Sequence, residues 1–275
     1  MRFGIHLPHI GRKAAPEAIR RAAVQGEDLG FDDVWVSEHI IVPKGAPYPP
    51  SPIFWDPVLT LTWAAAATRR IGLGTSVLVL PMRHPLPLAK ELATLHCLSE
   101  GRLILGAGVG WMEAEFAALG VPFHERGRRM DEGIAMMRAV WSDDPVSFPS
   151  RWIPAVVEDM RMLPKPVKPI PIWIGGSSEP ALARALRLDG WHGSRVMPEA
   201  AAPIVRRLRA TRPEPGFAIS LRYGWDGKDD GELHARLAAY GSAGVGHVLI
   251  EPQERMLDDW LRVVERALRA TEGLR

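Results

Sequence analysis

Eight short apolar runs, each followed by a longer stretch of helical periodicity, succeed one another from end to end of this chain. The runs are Arg2 to Leu7, Asp33 to Ser37, Ile71 to Leu78, Arg102 to Gly106, Ile170 to Gly175, Trp191 to Arg195, Phe217 to Tyr223 and Gly246 to Glu251. Helical patterns fall at Pro16 to Leu29, Asp56 to Thr68, Pro85 to Leu98, Arg126 to Trp141, Pro180 to Leu188, Glu199 to Arg212, Gly231 to Ala243 and Leu257 to Thr271. Eight parallel strands, each followed by a helix, close into a (β/α)8 barrel; a doubly wound open sheet of this length would show fewer strands. Pro16, Pro57, Pro85 and Pro180 stand in predicted first turns, where a missing N–H costs little. With 275 residues, 47% of them hydrophobic, the chain can bury one large core, so a single α/β domain over residues 1–275 is expected.

Two segments exceed a minimal barrel. Residues 40–55 form a Pro-rich loop after the second strand, and residues 142–169 form an insertion before the fifth. Long loops in compact domains are often lids or substrate walls. The first is expected to wall a pocket; the second is a partial cover, an oligomer contact or a solvated loop. A net charge of +2 does not call for a nucleic-acid partner, whereas a pI near 8.8 suits a phosphorylated small ligand. The single cysteine, Cys97, excludes an internal disulfide and sits in a predicted core helix. The amino terminus lacks the pattern of a secretory signal, and no apolar run reaches membrane length. The expectation is a cytoplasmic protein, acting on a small molecule, away from membranes, with a homodimer allowed.

In a parallel α/β protein the binding site forms at the carboxyl ends of the strands. Those ends carry His6 and His9, then Glu38 and His39, then Ser76, Arg83 and His84. They continue with the run Gly106 to Trp111, with Gly175, Gly176, Ser177 and Ser178, and with Trp191 and His192. Several histidines at the ends of different strands point to a site rather than to isolated structural rings. The run GAGVGW lacks the GxGxxG spacing and early position of a dinucleotide fingerprint. Its alternate glycines Gly106, Gly108 and Gly110, with Val109 between them, permit either a flat ligand close to backbone or tight barrel packing. In GGSSEP, Gly175 to Ser178 precede a helix start, which fits either an anion site or a plain N-cap. Met130, Asp131 and Glu132 read as a solvated helix face, with Met136 and Met137 in the core. No cysteine pair exists and His6-x-x-His9 is not a metallohydrolase His-x-His, so no metal is assigned. No Gly-x-Ser-x-Gly and no Walker loop occur.

Taken together, SEHI at 37–40, GTSVLVLPMRHP at 74–85, GRLILGAGVGW at 101–111, ERGRRMDEGI at 125–134 and MLPKPVKPIPIWIGGSSEPALARA at 162–185 resemble the bacterial luciferase-like superfamily. More narrowly, they resemble its branch dependent on the deazaflavin coenzyme F-420. The resemblance implies the same barrel with an insertion before strand 5. It implies a strand-3 bulge with a non-prolyl cis peptide at Ser76 and Val77 behind the deazaflavin ring. It places a catalytic histidine at His39, with Glu38 beside it, and phosphate contacts at Gly175, Gly176 and Ser177. Where sugar-phosphate dehydrogenases of that branch carry a catalytic glutamate, this chain has Trp111, which implies an apolar wall and a different substrate. His6, His84, Trp111 and Trp191 are expected to line the substrate pocket. Arg126, Arg128, Arg129 or Arg195 are candidates for the anionic tail of F-420. The implied activity is hydride exchange between F-420 and a small organic substrate. The alternatives are an FMN-dependent monooxygenase served by a separate flavin reductase, a non-catalytic flavin-binding protein and a barrel metallohydrolase, which would require bound metal.

Overall fold

In the computed structural model, which describes residues 1–254 and 256–275, eight parallel strands close on themselves. Around the ring they are β1 (Arg2–His6), β2 (Asp33–Val36), β3 (Gly72–Thr75), β5 (Leu103–Gly108), β8 (Ile172–Gly175), β9 (Gly190–Ser194), β10 (Ala218–Trp225) and β11 (His247–Pro252). Pairing of Leu73 with Leu103 joins β3 to β5 and completes the cylinder. A two-residue strand, β4 (Leu78–Val79), continues β3 and pairs with Ala107 and Gly108. The helices α1 (Pro16–Leu29), α2 (Pro57–Ala67), α3 (Pro85–Leu98), α5 (Arg126–Ser142), α6 (Glu179–Ala185), α7 (Pro198–Thr211), α8 (Asp230–Ser242) and α9 (Leu257–Arg269) form the outer shell. A short α4 (Glu113–Ala118) caps the mouth after β5. No helix among the described residues is long and apolar enough to cross a membrane.

The main apolar core lies between strands and helices. Alternate strand residues such as Phe3, Ile5, Val34, Val36, Ile172, Ile174, Val248 and Ile250 pack outward into it. Trp191 belongs to this layer. It was expected in the substrate pocket, but its side chain faces outward and is fully buried, and its indole N–H donates to the Gly176 carbonyl at 2.7 Å. The opposite parity fills the barrel's own interior with Trp35, Ile104, Trp173 and Leu249. Trp35 fits because Gly74 faces it: a Cβ there would lie 2.3 Å from the indole.

Between the β3 and β4 pairings, the third strand carries one more residue than β5 opposite it, which defines a bulge. Within it the Ser76–Val77 peptide is cis. The bulge accounts for the alternate glycines of β5. A Cβ on Gly106 would stand 1.8 Å from the Thr75 carbonyl oxygen, and one on Gly108 would stand 2.5 Å from Val77 Cγ2. Gly175 on the other side leaves the same room for Val77, and Gly110 clears Val79.

The insertion is partly structured: β6 (Val146–Phe148) and β7 (Val157–Met160) pair antiparallel. It is tied to α5 by Glu132, whose carboxylate accepts from the backbone N–H groups of Arg151, Trp152 and Ile153 and from the Ser150 hydroxyl. Glu132 and Met130 therefore depart from the solvated face expected of them: Met130 is wholly buried, and only Asp131 pairs outward, with Arg184. Cys97 is partly buried, its thiol donating to the Lys165 carbonyl of the insertion.

Candidate active site at the barrel mouth

His39 lies just beyond β2 with its side chain 10% exposed. Its Nδ1 stands 2.8 Å from Glu115 Oε2. The other oxygen of that carboxylate accepts from the backbone N–H of Ile40 at 2.8 Å and of Ile41 at 3.3 Å. A carboxylate only accepts, so Nδ1 carries the proton and Nε2 is left as the working nitrogen. Glu115 was not singled out in the sequence. It comes from α4, which docks through Phe116 against Val79 and Met82 and so aims Glu115 inward.

The loop at 40–55 builds the wall around this pair. It is tied down by an isolated antiparallel bridge between Ile10 and Phe54 and by Gly11 N–H on the Ile53 carbonyl. Phe54, Trp111 and Tyr48 approach the His39 ring edge-on, with centroids at 5.0, 5.9 and 6.5 Å. Trp111 is 56% exposed, an apolar surface open to the mouth. Arg195, also exposed, lies over Tyr48 at 4.8 Å.

Glu38 sits beside His39 but is engaged elsewhere. Its carboxylate accepts from Val79 N–H at 2.6 Å and from Arg83 Nε at 2.7 Å, and Arg83 also reaches Asp56 at 2.6 Å. Burial pushes the Glu38 carboxyl up against the pull of Arg83 and the Val79 N–H. It fastens the backbone just after the bulge. The bulge is held on its other flank by Arg222, which donates to the Ser76 carbonyl at 2.8 Å while paired with Glu251.

His6 and His9 are buried under the mouth. His6 Nε2 is 3.2 Å from the Ser37 hydroxyl, and burial, then Arg222, holds its pKa well below the ordinary value. His9 bonds the Leu7 and Ser37 backbone, and burial brings it down to about 4. His84 departs from the pocket expected of it: it is exposed, and its ring accepts from Leu86 N–H as the N-cap of α3. Gly176, Ser177 and Ser178 are exposed at the end of β8; Gly176 takes φ +101°, and the Ser178 side chain makes no capping bond to α6. Val109 is partly buried and packs against the main core. Arg126 and Arg128 stack on Phe123 and Trp152, and Arg129 donates to the Trp152 carbonyl.

Residues 1–258 match the family model described as luciferase-like monooxygenase. Over 165 residues the chain is 36% identical to the F420-dependent glucose-6-phosphate dehydrogenase of Kineococcus radiotolerans, a stretch covering 58% of this chain and 47% of that one. The chain thus spans about half the length of that relative. It is 30% identical, over 97% of both chains, to an uncharacterized protein of Mycobacterium bovis. Among solved structures, an F420-dependent secondary alcohol dehydrogenase in complex with an F420-acetone adduct superposes with a TM-score of 0.81 at 16% identity over 99% of both chains. The oxygenating constituent of 3,6-diketocamphane monooxygenase from Pseudomonas putida, in complex with FMN, gives 0.74 at 16% identity over 99% of this chain and 97% of that one. At such identities the two structures speak for the fold. With a family model spanning nearly its whole length and a relative matched end to end, this chain belongs to the luciferase-like monooxygenase family.

Proposed function

We propose that the chain is an oxidoreductase that holds coenzyme F-420 against the Ser76–Val77 peptide and exchanges a hydride between it and a small organic substrate. The observation that carries this reading is the His39–Glu115 pair, opening at the barrel mouth under Phe54, Tyr48 and Trp111. Bound F-420 supplies a ring carbon that accepts or gives up a hydride. His39 Nε2 takes or returns the substrate's proton, while Glu115 fixes the ring and stabilises its charged form.

The residues fit that group. Val77 is wedged between Gly108 and Gly175 and presents a backbone wall; Gly176, Ser177 and Ser178 offer exposed backbone and hydroxyls for a phosphate; Arg195, stacked on Tyr48, offers an exposed cation for an anionic tail. Trp111 and Tyr48 favour an apolar or aromatic substrate over a sugar phosphate. The dehydrogenase names borne by relatives from Kineococcus radiotolerans and Amycolatopsis mediterranei support F-420. The family model's description and the FMN-bound neighbour favour a second reading, an FMN monooxygenase fed by a flavin reductase. Side-by-side fluorescence titrations separate the two. F-420 should bind more tightly than FMN, with the gap narrowing as salt rises; FMN binding equally well at low salt would move the reading to the monooxygenase.

A further inference from the structure

Below the mouth, the barrel interior holds a continuous line of hydrogen bonds separate from the His39–Glu115 pair. Ser76 Oγ lies 2.8 Å from His192 Nε2, and His192 Nδ1 lies 2.7 Å from Ser220 Oγ. Ser220 Oγ lies 2.6 Å from His247 Nδ1, and His247 Nε2 lies 2.8 Å from Asp33 Oδ1. Asp33 then accepts from Arg2 at 2.8 Å; the Arg2 side chain is 51% exposed at the opposite face of the barrel. His192, Ser220 and His247 are register partners on the neighbouring strands β9, β10 and β11. All five links from Ser76 to Asp33 are at most 6% exposed.

Two features set this line apart from an ordinary polar core. The rings are packed against indoles: Trp35 stacks on His192 at 5.1 Å and an interplanar angle of 7°, and Trp35 and Trp173 both pack on His247 at 5.5 Å. Proton transfer along the bonds changes the tautomer with the rings left in place and every bond kept. Polar groups in this position also carry a desolvation cost that apolar side chains of the same volume would avoid.

The donors and acceptors can be assigned in two complete ways. In the first, the Ser76 hydroxyl donates to His192 Nε2, His192 Nδ1–H donates to Ser220, the Ser220 hydroxyl donates to His247 Nδ1, and His247 Nε2–H donates to the Asp33 carboxylate. Both imidazoles are neutral and every bond is made. In the second, every bond above His247 is reversed. His247 carries both protons beside Asp33, Ser220 donates to His192 Nδ1, His192 Nε2–H donates to Ser76, and the Ser76 hydroxyl is free to donate into the mouth. The two states differ by one proton.

Resting on the F-420 reading for what lies in the mouth, we propose that this line is a one-proton relay and store serving the ring side of the site, as His39 serves the substrate side. A two-electron reduction of a deazaflavin takes up a hydride and a proton, and oxidation returns both. When a proton comes down, Ser76 Oγ gains it and passes its own to His192 Nε2. His192 releases its Nδ1 proton to Ser220, and Ser220 passes its own to His247 Nδ1, where an imidazolium forms against the Asp33 carboxylate. Running the same transfers backward delivers one proton from Ser76 to the mouth. His192 changes tautomer without needing a stable charged form, in keeping with the fall of its pKa to about 3 through burial, His247 and Arg222. The charged groups facing the line are Asp33 with Arg2 and Asp32 below, and Arg222 with Glu251 above.

Nitrogen-15 histidine NMR of the ligand-free protein tests the relay without turnover. At neutral pH, His192 should be the Nδ1–H tautomer and His247 the Nε2–H tautomer. As pH falls, His192 should switch to Nε2–H with the same midpoint at which His247 gains its second proton. In Ser220→Ala the two events should separate, with His192 keeping one tautomer while His247 titrates. A wild-type His192 that holds its tautomer while His247 titrates overturns the relay, and because this arm needs no variant, a misfolded Ser220→Ala does not remove the test. F-420 that binds and turns over on a protein with an unswitching His192 sinks the relay alone. A coupled switch in a protein that binds no F-420 sinks the cofactor reading and leaves the relay standing.

Discussion

At the scale of single residues, His39 and Glu115 divide the work. Glu115 satisfies the Ile40 and Ile41 N–H groups with one oxygen and His39 with the other, so the ring is held by a carboxylate that is itself held by backbone. Removing the ring should spare cofactor affinity to within about tenfold and lower turnover by two or more orders of magnitude, the usual loss for a general acid or base, in His39→Ala. Equal turnover of the variant and the parent on an identified substrate would reduce His39 to a wall. Glu115→Gln isolates orientation. Its amide would face Nδ1 with a donor, forcing the proton to Nε2, so turnover should fall about tenfold or more and the acid limb of the pH–rate profile should shift, with affinity for F-420 unchanged. A purely structural Glu115 would leave the pH profile where it was.

The elements explain what the sequence displays and what it conceals. Barrel strands are buried on both faces, so they read as apolar runs; seven of the eight were legible to within two residues at either end, and the third ran on to Leu78 across the bulge into β4. The eight outer helices were legible to within three residues, four of them marked by the first-turn prolines Pro16, Pro57, Pro85 and Pro180. The bulge position at Ser76 and Val77 and the place of His39 beyond β2 were legible as family motif. Parity was not: Trp191 and His192 are adjacent, one must face the helices and the other the barrel axis, and nothing in WHGS says which. Glu115 was hidden because it belongs to a six-residue helix after a strand end, not to the strand end itself. Asp33, Ser220 and His247 were hidden because a polar residue alternating with apolar ones reads as a solvated face, whereas in a closed barrel that face is the interior. The β5 glycines answer to the bulge, and this can be measured. Gly106→Ala drives a methyl onto the Thr75 carbonyl and should cost about 3 kcal/mol or more in chemical unfolding. Gly216→Ala, where a Cβ meets nothing within 4 Å, should stay within about 0.5 kcal/mol. Similar costs for the two would show that β5 yields easily and that the bulge does not dictate its glycines.

For the whole molecule, the buried histidines set how stability follows pH. Burial holds His9 down to about 4 and His192 to about 3, and it holds His6 well below its ordinary value, each against about 6.5 in an unfolded chain. The native state therefore keeps these rings neutral while the unfolded state takes up protons. The stabilisation is complete above pH 6.5 and is lost as pH falls from 6.5 toward the folded values, each ring contributing a slope of about 1.4 kcal/mol per pH unit. Asp33, lowered by His247 and Arg2 against its own burial, works in the same direction below its unfolded value. Glu38, raised by burial, works against them and softens the fall near pH 4.5. Urea unfolding at a series of pH values should show a near-level plateau from pH 7 to 8 and a fall beginning near 6.5. At pH 5.5 these three rings together should contribute about two to three protons taken up on unfolding, and His96, which burial also lowers, adds to the slope in the same direction. In His9→Gln, which keeps a side chain able to meet the Ser37 backbone, the slope at pH 5.5 should drop by about one proton whatever the variant does to the plateau itself. A slope unchanged in that variant would mean that the His9 ring is charged inside the fold.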